Sequence, residues 1–108
     1  MLTREQILGM DDLPREEVFV PEWKGSVFVR ALTGSERDQL ERMIAKDSVS
    51  RASIVALCVV DERGERLFSQ KDVDALSKKH GQALERIVTA ALHFNALTDE
   101  AIEAGKGD

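Results

Sequence analysis

The sequence predicts an α+β fold, mostly helical, with an N-terminal β-hairpin followed by a bundle of about four helices. Three observations predict it. Two segments rich in Val and Phe flank a turn-forming PEWKG stretch early in the chain. Apolar residues then recur at three- and four-residue steps. Between those runs, Ser or Thr is followed three residues later by an acid or Gln, the signature of a helix start.

A chain of 108 residues admits one domain. It divides into an N-terminal helix and link (1–14), the hairpin (16–32), a helical part (34–97), and a short turn with a flexible tail (98–108). Thr3 and Gln6 form the first capping box, so a short helix runs from Arg4 to Leu8 and stops near Gly9. Asp11, Asp12 and Pro14 then enforce an irregular link. Glu16–Val20 and Ser26–Leu32 are the strands, separated by Pro21–Gly25. Symmetric pairing about that loop sets Val20 against Ser26, Val18 against Phe28, and Glu16 against Arg30. Val27, Val29 and Phe19 then share one face while Val18, Val20 and Phe28 share the other. A ribbon apolar on both faces needs a cover of helices or a partner.

Thr33 and Glu36 open a helix whose inner stripe is Leu40, Met43 and Ile44. Ser48 or Ser50 caps the next element. Ala52–Val60 is so apolar that periodicity alone does not separate buried helix from buried strand. Its length, with Ala56 and Leu57, favours helix. Asp61–Gly64 is a turn, and Leu67 and Phe68 dock back on the core. Ser69 and Asp72 start a further helix carrying Val73 and Leu76, which Lys78, Lys79, His80 and Gly81 bring to an end. The longest helix spans Gly81 to Leu97, with Leu84, Ile87, Val88, Ala91, Leu92 and Asn95 at helical spacing. Thr98–Ala101 caps one more short turn.

Composition narrows the function. The net charge is −5, and basic residues are interleaved with acids, so no nucleic acid is expected as partner. No apolar stretch reaches the roughly 18 residues of a membrane helix, so no membrane is expected either. Met1–Asp12 lacks the apolar core of a signal peptide, which places the chain in the cytosol. Cys58 is the single cysteine and stands among apolar neighbours, where a thiol behaves as a small hydrophobe. His80 and His93 have no acid or cysteine at ligand spacing, which argues for no metal. There is no nucleophile elbow, no phosphate-cradling loop and no carboxylate pair outside turns and helix starts. No catalytic residue, cofactor or metal is therefore assigned, and the expectation is a protein that is not an enzyme. Aromatic residues are few. Trp23 at the hairpin tip either folds back as a lid or projects as an interface anchor, and the two roles are compatible. Phe19, Trp23 and Phe28 are the candidate partner-binding residues, with a groove between the Leu40 and Leu84 helices as the other candidate surface.

A succession of short patterns carries a family resemblance. Leu2–Leu8 (LTREQIL), Val18–Trp23 (VFVPEW) and Val27–Arg37 (VFVRALTGSER), then Ile54–Phe68 and the helix start at Ser69–Leu76, resemble the tail assembly chaperones of long-tailed bacteriophages. The resemblance covers Met1 to Leu97. It implies a non-enzymatic chaperone that binds and solubilises the tape measure protein and helps recruit tail tube protein in the bacterial host cytoplasm. It also implies absence from the mature virion. In many such phages a programmed frameshift adds a C-terminal extension, which the flexible end Gly105–Asp108 would suit. A structural head–tail connector or tail-completion protein is the alternative. Oligomeric state stays open, a homo-oligomer included.

Overall fold

The computed structural model describes residues 1–97, so the turn and tail expected over 98–108 lie outside the described residues. The capping signals set the helix starts. Thr3 Oγ1 accepts from the Gln6 amide (3.2 Å) while Gln6 Oε1 accepts from the Thr3 amide (2.9 Å), opening α1, Arg4–Leu8. Thr33 and Glu36 make the same reciprocal pair at 3.1 and 2.9 Å at the head of α2, Gly34–Ala45. Of the two serines, Ser50 is the cap: it opens α3, Arg51–Cys58, with Ser53 as its return partner. Ser69 and Asp72 cap a single 3₁₀ turn, Gln70–Asp72, and only after it does α4 run, Val73–Ser77. The last helix, α5, spans Gly81–Phe94.

The hairpin forms with a different register from the one expected. Strand β1, Arg15–Val20, pairs antiparallel with β2, Gly25–Arg30, through Val20↔Gly25, Val18↔Val27 and Glu16↔Val29. The loop is one residue shorter than the symmetric reading assumed. Pro21–Trp23 form a 3₁₀ turn, and Lys24, at φ 55° and ψ 38°, takes the left-handed position rather than Gly25. One residue of slip inverts the pairing of faces. Val18, Val20, Val27 and Val29 share the inner face, and Phe19 and Phe28 share the outer one with Arg15 and Glu17. The expected Glu16–Arg30 contact is not made, because the two residues point to opposite faces. The ribbon is thus amphipathic rather than apolar on both sides.

A third strand was not foreseen. The apolar run expected as helix to Val60 leaves helical geometry after Cys58, and β3, Val59–Val60, pairs with Val29 and Phe28. Two β-branched residues in succession fit a pleated surface better than a helix end. The sheet order is β1-β2-β3, and Val60 bridges onward to Arg66 across the Asp61–Gly64 turn. Helix α5 also stops earlier than expected. Asn95 is its C-cap and Ala96 takes φ 57°. Asn95 leaves the helix to serve the sheet: its Oδ1 accepts from the Leu32 amide at 2.8 Å, and its Nδ2 donates to the Arg30 and Ala91 carbonyls.

The inner face of the sheet packs on α5, and the buried helix α3 packs on α5 and α4, so one core joins them. Every residue from Ala52 to Val60 is buried. Burial pushes the Cys58 thiol up to about 12, and the nearby Glu36 carboxylate adds to the shift. The native protein should therefore resist iodoacetamide at neutral pH and react once unfolded, as mass spectrometry would show. Linkage gives a second expectation. From the ordinary value of 9.0 upward the unfolded thiol ionises first, so this contribution is intact below about pH 9 and is lost as pH rises towards about 12. Urea unfolding of Cys58→Ala should show a shallower alkaline loss of stability than the parent.

Candidate protein-binding surface

Side chains with chemical potential are held in structural ties. Glu36, the capping-box acid of α2, is buried. Its Oε1 accepts from Arg30 at 2.6 Å and from the Thr33 amide at 2.9 Å, and Arg66 stands 3.9 Å from Oε2. Arg30 also donates to the Gly64 and Ala31 carbonyls, and Arg66 to that of Ala56. The cluster binds β2, α2, α3 and the 61–66 turn together, and it adjoins no nucleophile. His80 Nδ1 accepts from the Gln82 amide at 3.2 Å, making it the N-cap of α5, a role that its lysine neighbours hid. His93 is exposed on α5. Among the described residues no three His, Cys, Asp or Glu side chains gather as a metal site.

The accessible apolar groups lie elsewhere. Phe19 is 63% exposed on the outer face of the hairpin. Phe28 lies diagonally across from it, half-buried, with the Arg15 guanidinium 5.1 Å from its ring centroid, a cation–π contact. Trp23, 39% exposed, ends the 3₁₀ turn at the hairpin tip. That tip is anchored to α5: Arg86 Nε donates to both Glu22 carboxylate oxygens, at 2.9 and 3.0 Å. The Arg86 hydrogen bond holds the Glu22 carboxyl below its usual range, with a Glu22 backbone hydrogen bond adding to this. The three sequence-nominated residues thus lie on one ribbon, with Phe19 and Phe28 on its outer face and Trp23 at its tip.

Two further surfaces were missed. A groove of about 570 Å³ runs between β1 and α5, lined on the strand side by Glu16, Val18 and Phe19. On the far flank of α5 a second groove is lined by Val49, Arg51 and Ile54 on one side and Glu85, Val88 and Leu92 on the other. The second surface is the N-terminal arm. Helix α1 is capped but buries nothing, and Met1, Leu2, Ile7, Leu8 and Met10 are all exposed. A five-residue helix shows too few turns for its apolar residues to reveal whether they face a core.

Amphipathic sheet, buried α3 and covering α5 together have a counterpart among solved structures. The tail assembly chaperone of bacteriophage HK97 superposes with a TM-score of 0.63 at 18% identity, covering 88% of this chain and 92% of that one. The fold is that of a tail assembly chaperone. No protein-family model and no curated protein matches the chain. The tail assembly chaperone fold accounts for the sequence patterns that carried the resemblance. VFVPEW and VFVRALTGSER are the hairpin and the capped start of α2, and Ile54–Phe68 is α3, β3 and the turn that closes the sheet. At 18% identity the likeness is one of architecture.

Proposed function

We propose that this chain is a non-enzymatic assembly chaperone of a long-tailed phage. In this reading it binds the tape measure protein in the bacterial host cytoplasm, keeps it soluble, helps recruit tail tube subunits, and is absent from the mature virion. The observation that supports the reading most is the fold shared along nearly the whole chain with the HK97 tail assembly chaperone. The surface agrees with it. A holdase needs accessible apolar groups rimmed by charge, and Phe19, Trp23 and Phe28 supply them on a ribbon whose stability rests on its other face. Reversible binding of a client requires no cofactor.

The test is co-expression with the tape measure protein of the same genome. The tape measure should become soluble and co-purify with this chain. Phe19→Ala and Trp23→Ala should lower its recovery while leaving the unfolding midpoint of the chaperone close to the parent's, because both residues are exposed. A tape measure that stays insoluble, with this chain present in purified virions, would replace the reading with a structural connector.

A further inference from the structure

The sheet has two unlike edges. On the β3 side, pairing is two residues long and continues through Val60↔Arg66 into the Asp61–Gly64 turn, which closes it off. On the other side no strand among the described residues pairs with β1. The Ala31 amide donates to the Pro14 carbonyl at 2.9 Å, which fixes the alternation of the antiparallel ladder. Glu16, Val18 and Val20 therefore turn their amides and carbonyls to β2, whereas Arg15, Glu17 and Phe19 turn theirs outward.

The β1–α5 groove lies where the inward side chains of a fourth strand would project. Its floor carries Val18, Thr89 and Ala90. Its acidic and basic lining is Glu16, Glu85 and Arg86, but Arg86 is bound to Glu22, and Glu85 to Arg51. Glu16 on the inner face and Glu17 on the outer face of β1 have no ion-pair partner among the described residues. Arg15 has none either, its guanidinium lying over the Phe28 ring, so the edge carries two unpaired carboxylates against one cation and its net charge is negative.

We propose that the free edge of β1 is a strand-addition site for an extended segment of another protein in which apolar residues alternate with lysine or arginine. Backbone hydrogen bonds to Arg15, Glu17 and Phe19 would supply affinity, and the groove with Glu16 and Glu17 would supply the choice of side chains. A second copy of β1 fits poorly. Of the two antiparallel registers with the greatest overlap, the one centred on Glu17 sets that carboxylate against its own copy. The one centred on Val18 sets Glu17 opposite Phe19 and Glu16 opposite Val20, so neither gives these carboxylates a cation. The site rests on the edge and the groove and is independent of the chaperone reading.

A synthetic peptide of alternating lysine and valine is the probe, and amide exchange followed by NMR on the full chain is the readout. Peptide at saturation should slow exchange at Arg15, Glu17 and Phe19 about tenfold or more, the scale of one net hydrogen bond each. A glutamate–valine peptide should bind at least tenfold more weakly on charge grounds. The same lysine–valine peptide N-methylated on alternate residues should lose binding, since its strand edge is blocked. Glu17→Pro should also lose binding yet fold, because the amide it removes faces the open edge and not β2. The proposal is overturned if the amides of β1 are unaffected, if the acidic or N-methylated peptide binds as well, or if the same amides become protected without peptide as protein concentration rises.

Discussion

Glu36→Ala should lower the stability of this protein by about 3–5 kcal/mol, the range for removing one partner of a buried ion pair. Both side chains of the Arg30–Glu36 pair are nearly buried, at 11% and 10% exposure. Deleting the carboxylate leaves the Arg30 guanidinium inside without its counter-charge, and the Thr33 amide loses its acceptor. The cap of α2 and the cationic cluster therefore fail together. Urea unfolding should show a lower midpoint with little change in slope, as befits a loss of native contacts. Glu36→Gln is the informative partner: it retains an oxygen for the Thr33 amide and similar volume, so it should cost less, about 1–3 kcal/mol. Arg30→Met combined with Glu36→Leu should cost less than the two single changes added, because no uncompensated charge is left within the pair. Strict additivity would show that the two residues act separately.

That cluster also marks how far the sequence could be read. Thr33 and Glu36 announced a helix start, and the helix is there, because a capping box depends on residues three apart and on nothing distant. That Glu36 also meets Arg30 and Arg66 depends on the sheet and the 61–66 turn arriving beside it, and no local spacing encodes this. The hairpin was legible as two strands about PEWKG but not in register. Its turn placed a left-handed residue at Lys24, where a lysine gives no sign of it. The error propagated to the site: Phe19 and Phe28, assigned to opposite faces, share the outer one. Strand β3 was hidden in an apolar run whose every residue is buried, so no polar position interrupts it to reveal a period. Asn95 as a clamp on β2 and Leu32 was likewise visible only once distant backbone was in place. The His80 cap, by contrast, is local, two residues from Gln82, and was hidden by its lysine neighbours.

Leu57→Ala tests that apolar run directly, and a cost of about 2–5 kcal/mol is expected. Leu57 is 1% exposed in α3, which packs against α5 and α4 and continues into β3. Its removal leaves a cavity that neighbours on an eight-residue helix, tied at Ser50 and continuing into β3, have little room to fill. Leu57→Met, which nearly conserves volume, should cost under about 1.5 kcal/mol. Leu67→Ala, at 51% exposure just beyond the sheet-closing turn, should stay within about 0.5 kcal/mol of the parent. Urea midpoints of the three variants provide the measurement. Against a total stability of about 5–15 kcal/mol typical of such domains, the first change alone brings the chain near unfolding. If Leu57→Ala were as mild as Leu67→Ala, α3 would not be the support on which α4 and α5 pack. The hairpin packs on α5, which α3 supports, so its outward-facing aromatics would then lack the rigid backing that a binding surface needs.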